Sequence, residues 1–324
     1  MVRFPTLDEL DRHLVHALQI DGRAPFSRIG EVLGVSDQTI ARRYRRLRTA
    51  GALRVVGAVD PLRVGLVSWA IRLRATPDAA GAIAAALARR PDTYWVHLLS
   101  GGTEIACGTM SRTPEERADL LLQKLPRTGR VSSVTAHALL HQFVGGPIGW
   151  AGARSLPPEQ AERLRPDPPV PGDEPVALSE TDYALLAALS VDGRAGHAEL
   201  ASATGWSQST VRRRMDQLRR AGVLFYDLDL PAELFGYPVE ARLWLSVEPS
   251  RLAAAGEALA GHTEVAFAAA TTGPTNLLVA VTCRDPHHLY RYLTERVGAL
   301  EGVRHVETAP VIRTVKGAGA TLFP

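Results

Sequence analysis

At 324 residues the chain is long enough for several domains, since a single core usually stops growing near ~250–300 residues. Its apolar fraction of 46% and charged fraction of 22% are those of an ordinary globular protein, and no apolar run approaches the ~18–20 residues that span a bilayer, so no membrane partner is expected. The formal net charge is only +3, so total charge alone does not point to nucleic acid.

The first residues, Met1-Val2-Arg3-Phe4-Pro5-Thr6, run into a helix signal and lack the apolar core of a signal peptide. Cys107 and Cys283 stand far apart with no paired spacing. Both features predict a cytoplasmic chain with reduced thiols. Thr6-x-x-Glu9 has the pattern of a capping box, and Leu7, Leu10, Leu14 and Leu18 follow at helical spacing up to Asp21-Gly22. A short helix fits Phe26–Leu33 and is stopped by Gly34. Ser36 then caps a third helix running to Ala50-Gly51. Helix, short helix, Gly-containing turn and helix form the order of a helix-turn-helix.

On the third helix, Ile40, Tyr44 and Leu47 share a face that can be buried, whereas Gln38, Thr39, Arg42, Arg45 and Arg46 lie opposite, with Arg43 on the flank. Arginine and glutamine at the start of such a helix can bond guanine and adenine edges, and the remaining arginines suit phosphates. The segment Gly51–Val59 reads as a strand leaving this unit. Beyond it, strands at Val67–Ala75, Thr93–Leu99, Glu104–Met110 and Val131–His141 alternate with helices at Pro77–Ala88 and Pro114–Leu122. The order β-α-β-β-α-β is that of a ferredoxin-like plait, whose sheet has one face bare of helices and is expected to pair through it.

The chain then repeats itself. At an offset of 171 residues, Asp21-Gly22-Arg23-Ala24 returns unchanged as Asp192-Gly193-Arg194-Ala195, and twenty of the 47 positions from Leu7 to Leu53 are identical without a gap. In the second copy Val211, Met215 and Leu218 take the core face. Ser209, Thr210, Arg213, Asp216 and Gln217 face outward, flanked by Arg212 and Arg214. Ser36–Arg54 carries a net +5 and Ser207–Phe225 a net +4. Each stretch exceeds the net charge of the whole chain, and the first is expected to bind phosphates more strongly. A second plait follows, with strands at Glu240–Val247, Thr263–Thr271, Asn276–Cys283 and Val303–Arg313 and helices at Pro249–Ala260 and Pro286–Val297. The intervening segment holds eight of the 22 prolines. It reads as an extended linker that packs no core, with a short helix at Pro158–Leu164.

The expected class is therefore α+β: two tandem copies of a winged helix-turn-helix followed by a ferredoxin-like βαββαβ domain. The divisions fall at 1–60, 61–145, 146–176 (linker), 177–231 and 232–324. Leu7-Asp8-Glu9-Leu10-Asp11, Asp21-Gly22-Arg23, Gly34-Val35-Ser36, Thr39-Ile40, Arg43, Leu47, Gly51-x-Leu53 and the turns Gly101-x-x-Glu104 and Gly273-x-x-Asn276 carry a resemblance to the Lrp/AsnC regulators. The resemblance covers nearly the whole chain, twice, apart from the linker. It implies transcription regulation through double-stranded DNA, pairing of the plaits, homo-oligomers, and a small amino-acid-like effector beside Gly101, Glu104, Gly273 and Asn276. Family members carry aspartate where this chain has Glu104 and Asn276. Pairing of the two plaits within one chain is expected to give an asymmetric pseudo-dimer.

The rival readings are a siroheme-decarboxylase-like enzyme, for which only His97 sits on a suitable strand, and an interaction protein with inactive DNA-binding units. No nucleotide-loop, nucleophile-elbow or paired-carboxylate motif appears, so neither catalytic residues nor a cofactor is expected. A metal is not expected either. His13 and His16 lack a third ligand, and His137 and His141 lie too far apart along a strand.

Overall fold

The computed structural model describes residues 5–317, apart from 91, 112, 114, 116, 117, 119–129, 147, 148, 171 and 173. The first helix-turn-helix comprises α1 (Glu9–Ile20), α2 (Phe26–Leu33) and α3 (Asp37–Thr49). Asp8 caps α1 by accepting from the Asp11 amide at 2.8 Å, a role the sequence pattern assigns to Thr6. Gly34 ends α2 in the left-handed conformation, at φ 70°, which costs glycine nothing because it has no Cβ. Ile40, Tyr44 and Leu47 are buried as their spacing requires. The second copy repeats the unit as α6 (Glu180–Val191), α7 (His197–Thr204) and α8 (Gln208–Arg220), after α5 (Pro158–Leu164) in the segment between the copies.

Each helix-turn-helix exits into a strand, β1 (Arg54–Val59) and β6 (Leu224–Asp229), and the two strands pair with each other, antiparallel. The strands exist as expected, and their hydrogen-bonding partner is the other copy. Gly193 makes this close approach possible: a Cβ there would lie 2.8 Å from the Val56 carbonyl carbon and 3.0 Å from the Gly57 amide nitrogen. Its own amide donates to the Val55 carbonyl at 2.8 Å.

The first plait contains β2 (Val67–Ala75), α4 (Pro77–Ala88), β3 (Thr93–Leu99), β4 (Glu104–Ser111) and β5 (Val131–Val144). The helix expected at Pro114–Leu122 falls almost wholly outside the described residues. The second contains β7 (Val239–Val247), α9 (Leu252–Ala260), β8 (Val265–Thr271), β9 (Leu277–Cys283), α10 (Pro286–Arg291) and β10 (Val303–Lys316). The last strand of each plait crosses to the other copy, β5 onto β8 and β10 onto β3. The eight strands thereby close into a barrel. Ala70, Leu99, Ala106, Trp244, Leu278 and Ala309, drawn from both copies, form a shared buried cluster. The two bare sheet faces expected to seek a partner therefore find each other within one chain. Closure also removes the edge hydrogen bonds that would otherwise stay open.

The Pro-rich segment departs from expectation. Ala153, Leu156 and Leu164 are buried in the same core as the helix-turn-helix pair. The Ser155 and Leu156 amides donate to His16 Nδ1 at 3.1 and 2.9 Å, and Arg28 donates to the Arg163 carbonyl at 2.8 Å. Proline removes donors but not apolar surface, so scattered alanine and leucine side chains still dock the segment on α1 and α2.

Candidate nucleic-acid interface and sensor core

Ser36 caps α3 and Ser207 caps α8, each accepting from an amide three residues on, Thr39 at 3.2 Å and Thr210 at 3.1 Å. The hydroxyls of Thr39 and Thr210 lie 2.9 Å from the same cap oxygens. Beyond the caps the predicted outward residues separate into two groups. Gln38, Arg42 and Arg45 on α3, and Ser209, Arg212 and Arg213 on α8, are exposed. Among the described residues none of these four arginines forms an ion pair.

The second group is tied to the first helix of its own copy. Arg43 bonds Asp8 at 2.6 Å and Asp11 at 2.9 Å, and Arg46 also bonds Asp11. In the second copy Arg214 bonds Asp182 at 2.6 Å. The Arg43 guanidinium holds the Asp8 carboxyl below the usual carboxylate range. Burial pushes Asp182 up, but bonds from Arg214 and Ser179 outweigh it and leave the carboxyl lowered. Asp11 and Asp182 are almost fully buried, so removing an arginine would strand a carboxylate away from water. Arg43 and Arg214 thus fix how each recognition helix sits on its scaffold. Arg46, about half exposed, can also face outward. With these side chains engaged, the larger formal charge of the first helix does not become a larger set of free cations.

The repeated Asp-Gly-Arg-Ala sequence has a role that sequence reasoning missed. Arg23 donates to the carbonyls of Gly193 and Ala195 at 2.8 and 3.0 Å, and Arg194 returns the contact to Gly22 and Ala24 at 2.7 and 3.1 Å. Arg48 bonds Asp192 at 2.6 Å, and its equivalent Arg219 approaches Asp21 at 3.7 Å. These contacts lock the two helix-turn-helix units about a pseudo-twofold axis. The available signal was the unbroken identity of the motif in two copies that otherwise diverge.

The effector-turn residues are engaged as well. Gly101 lies in the left-handed region at φ 76°. Glu104 is buried and bonded to Arg72. Arg72 also bonds Glu307 of the other plait at 2.7 Å and lies 4.2 Å from the Trp244 ring centroid. The Arg72 guanidinium holds the Glu307 carboxyl below its ordinary range. In the second turn, Asn276 Oδ1 accepts from the Val247 amide and its Nδ2 donates to the Val247 carbonyl, both at 2.8 Å. Gly273, at φ 104°, is so close to His137 that a Cβ would fall 2.2 Å from Nδ1. Asn276 spends both polar side-chain atoms on Val247, and Glu104 is tied to Arg72.

His97 is buried on β3, with Nδ1 3.1 Å from the Thr314 hydroxyl and Nε2 2.8 Å from an Arg242 nitrogen. Because arginine can only donate, Nε2 accepts, and Nδ1 carries the proton. Burial, reinforced by the Arg242 charge, holds this imidazole well below its ordinary pKa. Cys107 and Cys283 are buried free thiols, and burial pushes each up to about 12. Among the described residues no group of three metal-binding side chains forms, and no helix is long and apolar enough to cross a membrane.

Comparison with known proteins agrees with this architecture. The AsnC-type helix-turn-helix domain matches residues 7–48 and again 178–219, and the Lrp/AsnC ligand binding domain matches 240–321. An uncharacterised helix-turn-helix-type transcriptional regulator of Pyrococcus abyssi is 33% identical over 150 residues, covering 46% of this chain and 94% of that protein. The regulatory protein AsnC of Escherichia coli is 27% identical over 150 residues, covering 43% of this chain and 96% of its own. Among solved structures, the siroheme decarboxylase NirDL superposes with a TM-score of 0.64 over 98% of this chain and 95% of its own, at 14% identity, a likeness of fold. Two helix-turn-helix matches in register with the internal repeat, followed by the ligand-binding domain, establish that the chain is a member of the Lrp/AsnC family in tandem-duplicated form.

Proposed function

We propose that this protein is a sequence-specific, DNA-binding transcription regulator whose single chain reads an asymmetric site with two unequal recognition helices. The observation that carries the reading is the reciprocal clamp of Arg23 and Arg194, which holds α3 and α8 as one unit while leaving Arg42, Arg45, Arg212 and Arg213 exposed. Gln38, Thr39, Arg42, Arg45 and Arg46 form the reading face of the first copy, and Ser209, Thr210, Arg212 and Arg213 that of the second. Arg43 and Arg214 support these faces from behind. Asp216 and Gln217 stand where Arg45 and Arg46 stand in the first copy, so the two faces prefer different half-sites. Leu140 and Ile312, exposed at equivalent positions of the two copies, suit association into homo-oligomers. The protein acts in the cytoplasm, and any effector response does not run through the side chains of Glu104 or Asn276.

The test is binding to the protein's own promoter region and to random DNA across a salt series. We expect tighter promoter binding at physiological salt, a steep salt dependence matching roughly 6–10 phosphate contacts, and unequal losses when the two half-sites are mutated in turn. Equal affinity for both DNAs would favour an interaction protein with inactive DNA-binding units. The likeness to NirDL favours a second reading, a tetrapyrrole-acting enzyme. Absorbance of the purified protein in the visible range decides between them, and a regulator shows no bound tetrapyrrole band.

A further inference from the structure

A cavity of about 330 Å³ lies between the HTH-proximal end of the barrel and the underside of the inter-copy ribbon. Its barrel wall carries His97, Glu240, Arg242, Thr282 and Thr314, and its ribbon wall carries Asp227 and Asp229. Gln19 of α1 and the Trp150 region of the docked segment also border it. The volume is at the small end of the range for ligand sites.

Two side chains make this cavity chemically incomplete. Arg242 has no carboxylate within ion-pair distance among the described residues. It meets the neutral imidazole of His97 at 2.8 Å, the Ala241 carbonyl at 3.5 Å and the Trp95 ring with 5.9 Å to the centroid, while Glu240 on the same cavity wall acts on it from beyond ion-pair distance. A half-buried guanidinium whose direct partner is a neutral acceptor still gains from an anion in contact with it. Gln19 spends its amide nitrogen on the Trp150 carbonyl at 3.0 Å, which leaves Oε1 buried with no hydrogen-bond partner. That oxygen calls for a donor. Asp227, on the ribbon wall, already accepts from the Leu228 amide at 2.7 Å, and burial raises its carboxyl to about 6. Asp229 is already satisfied by Arg54 at 2.6 Å.

We propose that this cavity binds a small monocarboxylate that also carries a hydrogen-bond donor, with its carboxylate on Arg242 and its donor facing Gln19 and Asp227. The planar guanidinium fork suits a carboxylate, and the acidic groups on the cavity wall disfavour a second negative charge. The site differs from the two effector turns, whose side chains are engaged elsewhere. It also has a direct mechanical route to the DNA face, because the ribbon strands leave α3 and α8 directly. The inference concerns the DNA-free protein and stands or falls apart from operator recognition.

Calorimetric titration of the full chain with acetate, glycolate, 3-hydroxybenzoate and 4-hydroxybenzoate tests it, with 4-hydroxybenzamide as the uncharged match. We expect saturable binding of at least one hydroxy-carboxylate, none of the amide, and loss of about tenfold or more in Arg242→Gln. Gln19→Leu removes the preference for the donor-bearing ligand. Arg242→Lys keeps the charge and retains weakened binding, which covers the case in which the glutamine variant fails to fold. Absence of saturable binding by every carboxylate up to about 10 mM, a dissociation constant too weak for a built site, would overturn the proposal. So would equal affinity of the wild type and a folded Arg242→Gln protein.

Discussion

Arg42 and Arg43 are neighbours on one helix, and their sequences alone give them the same character. The fold separates them. Arg42 projects into solvent without an ion pair among the described residues, while Arg43 bonds both Asp8 and the buried Asp11. Arg42→Ala is therefore expected to weaken DNA binding and lower the salt slope by about one phosphate's worth, with stability changed by less than ~0.5 kcal/mol. Arg43→Ala is expected to destabilise the first copy by ~3–5 kcal/mol, because Asp11 loses a partner for a buried charge, though Arg46 offsets part of that loss. Thermal melts and a salt-dependent binding series on the two variants check this. Equal stability of both variants would show that Arg43 is not an anchor. The Arg43–Asp11 and Arg214–Asp182 pairs were not legible from helical spacing, since the wheel places both arginines beside the exposed face. The partner that turns them inward lies 32 residues away in each copy.

Helices were legible at the element scale because their caps and apolar spacing are local. The partners of β1 and β6 were not, since each strand's pattern is satisfied equally by its own copy or the other. The docking of the proline-rich segment was missed for a related reason. Three scattered apolar residues form no periodic signal, yet they are buried once α1 and α2 stand beside them. His16 makes that docking pH-sensitive. Burial, helped by the Arg154 and His13 charges, lowers it to about 4 from an ordinary 6.5, and its Nδ1 must stay unprotonated to accept from Ser155 and Leu156. The folded state thus binds fewer protons than the unfolded chain. The contribution is complete above pH 6.5 and is lost as pH falls toward 4. His16→Gln, which can accept but not titrate, is expected to flatten the decline of melting temperature between pH 7 and pH 4.5. An unchanged slope would remove His16 from the account.

For the whole molecule, the decisive feature is that each half completes the other. The β1–β6 ribbon, the β5–β8 and β10–β3 seams and the arginine clamp all join the copies. Among the described residues, the connecting chain between α5 and α6 is largely exposed, with Val170 at 81%. A protease site inserted between Asp167 and Pro168 should therefore be cut readily, and the two fragments should co-elute in gel filtration with an unchanged circular dichroism spectrum. Fragments that separate would mean that the linker, rather than the interface, holds the halves together.

The amino-acid sequence by itself determined the duplication, the order of elements in both copies, the basic recognition helices and the family, because these rest on local spacing and on identity between the repeats. Tertiary structure alone decided which arginines are free, that the ribbon and barrel close across the copies, that Glu104 and Asn276 are engaged, and that Arg242 and Gln19 border one cavity. Each of those depends on which distant group arrives beside a side chain. Helical and strand periodicity fixes the face on which a residue lies, but only the packed fold determines what stands opposite it.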